Sequence, residues 1–146
     1  MIRQKNEKSH IKIFGSDGDS AFKKYGAGKN SHPREWEQTI DKLKQAGCRF
    51  KWRENAWAYD PENGKAGFII LPPNASFSAL LHEAKHFWDD FELGFPCFGF
   101  CMRQPDLRWR MEFWAYVEEL KFARENKDLE LAKEILENMR RRKRRF

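Results

Sequence analysis

Long hydrophobic stretches are missing from this 146-residue chain. The longest apolar run, Gly67 to Leu71 (GFIIL), is strand-sized. It falls far short of the roughly 20 residues that span a bilayer, so no membrane span is expected. Cysteine is scarce: Cys48, Cys97 and Cys101 are odd in number and too few for a disulfide scaffold, which suits a reducing compartment and leaves room for one bridge after export. The opening residues MIRQKNEKSH are charged with no apolar stretch behind them, so no secretory signal is expected. The chain is therefore read as cytoplasmic as synthesised, with any delivery out of the cell left to a specialised route. Internal repeats are absent, and Gly15 to Gly28 lacks the Lys and Ser or Thr order of a phosphate loop, which removes a nucleotide reading.

An excess of either charge is also missing from the body of the chain. The formal net charge is +6, and Arg140 to Arg145 (RRRKRR) supplies six positive charges, leaving residues 1–139 neutral. With no companion basic stripe, the tail is expected to be a solvated, frayed end, and a nucleic-acid partner is not expected. What the chain does have is aromatic mass, 13 Phe and 6 Trp within a 40% hydrophobic composition, enough to bury a core in one domain.

Residues 1–32 read as a short strand, His10 to Phe14, followed by a loop. Pro33 near a first helical position, Trp36, Ile40 and Leu43 at helical spacing, and Gly47 as a stop predict an amphipathic helix over Ser31 to Gly47. From Cys48 to Leu71 the period becomes two, through CRFKWR, AWAYD, a PENG turn and KAGFIIL, which predicts a three-stranded meander. After Pro72 and Pro73, Asn74 or Ser76 can cap a helix through FSALLHEAKHFWDDFEL. A loop rich in Phe, Pro and Cys follows, then helices from about Leu107 to Arg124 and from Asp128 onward. The order predicts an α+β fold.

His82, Glu83, Ala84, Lys85 and His86 spell H-E-x-x-H inside the capped helix. Histidines four residues apart stand on one face and can share a Zn²⁺ ion, while Glu83, about 100° round the helix from His82, can reach a water beside it. Leu80, Ala84, Phe87 and Phe91 cluster on the opposite side, so the ligand face is expected to look away from the main core and to need a cover that brings a third ligand. Asp89 lies on that face but would ask one straight helix for three ligands. Asp89 and Asp90 are instead read as carboxylates that orient an imidazole. Glu112 is the expected third ligand, because Ala115 and Tyr116 share its helical face and the small Ala115 lets the helix come close. Glu118 and Glu119 read as a solvated acidic face. Cys97 and Cys101 read as buried apolar residues, and His10 and His32 as surface or capping residues.

HEAKH followed by the E-x-x-A-Y of Glu112 to Tyr116 resembles the gluzincin metallopeptidases. The wider pattern FIIL, ALLHEAKHFWD and RMEFWAYVEELKF, over about residues 65 to 139, resembles the zincin-like metallopeptidase domains of bacterial polymorphic toxin systems. The resemblance implies a minimal zincin-like protease domain with His82, His86 and Glu112 on zinc and Glu83 as base, either stand-alone or excised from a longer secreted chain. An immunity protein would then be a partner. Peptide-bond hydrolysis follows: Glu83 takes the proton of water and passes it to the leaving amine. Tyr116 is the first candidate for oxyanion support, with Tyr59 and Arg110 behind it. A protein or peptide substrate is expected to add in extended form to an open edge at Gly67, Phe68, Ile69 and Ile70. Two rivals stand beside this: an intracellular peptidase that cleaves a repressor, and a binding module in which zinc only staples the fold.

Overall fold

The computed structural model describes residues 18–96 and 103–146, which form six helices and one three-stranded mixed sheet, an α+β fold. The expected strand at His10 to Phe14 and the residues Cys97 and Cys101 lie outside the described residues. Two four-residue helices, α1 (Phe22–Tyr25) and α2 (Gly28–Ser31), stand where a loop is predicted. Helix α3 (Pro33–Gln45) starts on its proline and buries Trp36, Ile40 and Leu43, as the spacing predicts. Strands β1 (Arg49–Trp52), β2 (Ala58–Glu62) and β3 (Lys65–Leu71) lead into α4 (Phe77–Glu92), and α5 (Pro105–Glu125) and α6 (Leu129–Lys143) complete the order.

The sheet is not a meander. β3 lies in the middle, parallel to β1 and antiparallel to β2. Its apolar Ile69, Ile70 and Leu71 are buried, and a central position is where a strand with no polar face belongs. Pro61, which has no N–H to give, sits in the edge strand β2 beside a register shift between Asp60 and Glu62. The β2–β3 turn closes at Asn63 and Gly64, tighter than the predicted PENG loop, with Gly64 at φ 73°. Gly67 faces the carbonyl of Asp60 so closely that a Cβ would collide with it. Glycine is required there by strand packing.

Central placement corrects the substrate-edge expectation. Phe68, Ile69 and Ile70 pair with β1 on one side and β2 on the other, so no open edge exists along them.

Helix α4 separates two cores. On one side Leu80, Ala84 and Phe87 pack with α3 and the sheet, around Trp36, Leu43, Tyr59, Ile69 and Leu71. On the other, Tyr116, Phe122 and Ala123 of α5 pack with Leu131, Ile135 and Met139 of α6 and with Ala21. The cover that the ligand face needs is therefore α5, backed by α6. Phe91, predicted on the core side, is 43% exposed near the end of α4. No helix among the described residues is long and apolar enough to cross a membrane.

Candidate metal centre

The start of α4 is held from outside the helix. Ser76 caps it, accepting from the backbone N–H of Ala79 at 3.1 Å, and donates its hydroxyl to Asp19 Oδ1 at 2.6 Å. The Ser76 backbone N–H donates to Asp19 Oδ2 at 2.7 Å. Burial raises the Asp19 carboxyl above its ordinary range, with the Ser76 bonds opposing. Glycine at position 28 lets a second clamp approach: its N–H reaches the carbonyl of Ala75 at 2.8 Å, and a Cβ there would strike Trp36 and the Phe77 backbone. These contacts fix where the first turn begins, and so where His82 and His86 point.

His82, His86 and Glu112 come together as the spacing predicts. One ligand atom from each lies within 4.8 Å of the others, and all three residues are buried. Glu112 Oε1 is 2.8 Å from His86 Nε2, and Oε2 is 3.7 Å from His82 Nε2. Ala115, fully buried, allows the close approach of α5 to α4. The donor chemistry fits a cation: the buried Glu112 carboxylate turns one oxygen to each imidazole Nε2, and Glu83 Oε1 is buried without a hydrogen bond. Atoms of that kind are costly to leave so unless something positive binds them. This group can hold a metal ion.

Electrostatics follow from the crowding of carboxylates. Burial disfavours the charged form of His82, yet the carboxylates of Glu83, Glu112 and Glu119 outweigh it and hold the imidazole well above its ordinary pKa. Burial lowers His86, with Glu112 opposing. Burial also opposes ionisation of Glu112, but His86 and His82 hold its carboxyl well below the usual range. Glu83 is pushed up to about 8 by burial, with His82 opposing.

The imidazole is oriented by a residue the sequence reading left on a solvated face. Glu119, two turns beyond Glu112, stands 2.8 Å from His82 Nδ1 and is 6% exposed. Its seven-residue offset from Glu112 was the available signal, since both then share one helical face. Asp89 and Asp90 do not take this role. Asp89 pairs with Lys85 at 2.8 Å and acts on His86 only at Coulombic range. Asp90 accepts from the Tyr59 hydroxyl at 2.5 Å. Tyr59 also receives the Gly67 N–H at 3.1 Å, so its hydroxyl ties β2, β3 and α4 together. Arg110 is exposed. Tyr116 does reach the centre, its ring edge-on to His82 at 4.8 Å between centroids. His32 sits at the N-cap of α3 but makes no side-chain cap there; its ring stacks on Phe77 at 5.3 Å.

The basic tail is the largest departure from expectation. Helix α6 runs through Arg142, which is 5% exposed and places Nε 3.8 Å from Glu112 Oε2. Phe146 lies against Trp109, 5.9 Å between ring centroids. A run read as a frayed end thus continues a packed helix whose inward turn reaches the centre.

No family model, curated protein or solved structure matches the chain.

Proposed function

We propose that the chain is a zinc-dependent peptidase acting on a protein or peptide. His82, His86 and Glu112 would hold the ion. Zinc in such a site supplies Lewis-acid chemistry, polarising a carbonyl and lowering the pKa of water towards about 7. Two nitrogens and a carboxylate favour zinc over the oxygen-loving Mg²⁺ and Ca²⁺. Glu83 does the proton work: it accepts a proton from the attacking water and delivers it to the leaving amine. Glu119 holds the His82 ring so that Nε2 faces Glu112.

One observation carries the reading: a buried carboxylate with an unsatisfied oxygen, Glu83, stands on the same helix as both histidines of a three-donor cluster. A metal that only staples a fold has no need of it. The burial of all four residues favours the rival, a structural site, because a peptide must reach the centre for hydrolysis. Glu83→Gln separates the two. Elemental analysis should find about one zinc per chain in both forms, while casein cleavage falls by about 10²-fold or more in the variant. Equal cleavage by both would end the base assignment, and absence of zinc from protein purified without chelator would end the metal reading. The toxin context and its inhibitor partner belong to the same proposal, and a small inhibitor gene beside this one would support them.

A further inference from the structure

Helix α5 is apolar on two sides. Its inner side buries Met111, Ala115 and Phe122, while its outer side carries Trp109, Phe113 and Trp114, with Phe113 37% and Trp114 49% exposed. The end of the chain extends this outer surface. Phe146, 36% exposed, packs on Trp109 at 5.9 Å between ring centroids, Trp109 on Phe113 at 6.4 Å, and Phe113 on Trp114 at 5.2 Å. The four rings form one continuous row. Single apolar residues on a surface need no explanation, whereas contiguous aromatics mark a place that another surface covers. Cations frame the row: Arg108 lies over the Phe146 ring at 4.9 Å, and Arg110, Arg140, Arg141 and residues 143–145 are exposed. Across residues 103–117 and 140–146 the one exposed side-chain carboxylate is Asp106.

We propose that this row is a docking surface for an anionic lipid membrane, with Phe113 and Trp114 entering the headgroup region and the cations around them meeting the lipid charges. Aromatic rings settle at that depth, where apolar and polar surroundings meet. Long basic side chains reach back from it to the headgroups, and each one near an anionic surface strengthens attachment about fivefold. A bilayer thus answers both features of the row, apolar depth beneath a sheet of negative charge. Attachment is peripheral, since no helix among the described residues is long and apolar enough to span. The ring geometry disfavours single-stranded nucleic acid. Phe113 meets Trp109 at 63° and Trp114 at 86°, edge to face, and Arg108 covers Phe146, so the rings shield faces that stacked bases would need.

The test uses the full chain with vesicles of phosphatidylcholine, alone or with about 30% phosphatidylserine, read by co-sedimentation and tryptophan emission. The parent should bind the anionic vesicles about tenfold or more tightly than the neutral ones, with emission moving to shorter wavelength, and high salt should weaken the attachment. Phe113→Gln with Trp114→Gln should cost about tenfold in affinity for the anionic vesicles, and so should Arg110→Glu with Arg144→Glu. Trp52→Gln, which changes an exposed aromatic of the sheet, should stay within about twofold of the parent. Thermal midpoints measured alongside separate lost binding from lost folding, and the apolar and charged pairs stand in for each other if either fails to fold. A parent that leaves anionic vesicles unbound would overturn the proposal. So would binding indifferent to the Phe113 and Trp114 pair, which is adsorption of the basic end alone, or an equal loss in Trp52→Gln. Tighter binding to single-stranded oligothymidylate or to polyglutamate, lost in the same variants, would assign the surface to nucleic acid or to an acidic protein instead. None of these readouts uses peptide cleavage, so their outcome is independent of the peptidase reading.

Discussion

A carboxylate that accepts from one imidazole nitrogen directs the other at the metal, which makes Glu119 worth more than its sequence context suggests. Glu119→Ala is expected to weaken zinc binding about 10- to 100-fold in competition with a chromogenic chelator, whereas Asp89→Ala, which breaks an ion pair with Lys85, should leave it nearly unchanged. Equal losses would return Asp89 to the metal centre. Cys48 offers an independent probe at the same scale. Burial pushes its thiol up to about 12, so little thiolate exists near neutrality. Peptide-resolved alkylation should find Cys48 unreacted in the native protein and modified in denaturant; rapid native labelling would contradict its burial.

At the level of the element, the two helices that matter most are anchored by carboxylates from outside or just before them. Ser76→Ala removes a fully buried cap and the acceptor of the Ala79 N–H, and should destabilise the fold by about 1–2 kcal/mol in denaturant unfolding. Because that cap sets the first turn of α4, the variant should also bind zinc less tightly. Asp128 caps α6 through the Leu131 N–H at 3.0 Å, and accepts from Tyr25 and Lys24, each at 2.8 Å. The Lys24 hydrogen bond leads in holding its carboxyl at about 2, below the ordinary value of 3.8. A depressed folded-state pKa means that this stabilisation is complete above about pH 4 and is lost as pH falls from there to about 2. Asp128→Asn should flatten the acid limb of a stability-against-pH curve across that window. An unchanged limb would show that other groups govern it.

Across the whole molecule, the candidate metal site joins α4, α5 and α6 and lies between two hydrophobic clusters, so metal occupancy and fold stability should be linked. Free zinc at about 1,000 times its dissociation constant stabilises a native state by about 4 kcal/mol, so chelation should lower the thermal midpoint by several degrees. A midpoint indifferent to chelator would argue against a metal at His82, His86 and Glu112. Deleting residues 140–146 removes Arg142 and the Phe146 contact with Trp109. It should therefore lower stability in denaturant unfolding and, because Arg142 stands beside Glu112, alter zinc affinity. A truncated chain with parental stability and zinc affinity would restore the tail to the solvent.

The amino-acid order by itself determined the local features: the α3 stripe of Trp36, Ile40 and Leu43, the cap at Ser76, the shared face of His82 and His86, and the face of Glu112, Ala115 and Tyr116. Each depends on rotation about one helix or on a cap a few residues away, which spacing expresses directly. Only the tertiary structure decided the rest. β3 became central because two other strands met it, and pairing between strands separated in sequence leaves no trace in the period of any one of them. Asp19 reached Ser76 across 57 positions, and Arg142 reached Glu112 across 30. A run of six basic residues looks the same in sequence whether water or a carboxylate stands beside each one. The packing of α6 on α5 chose which arginine turned inward.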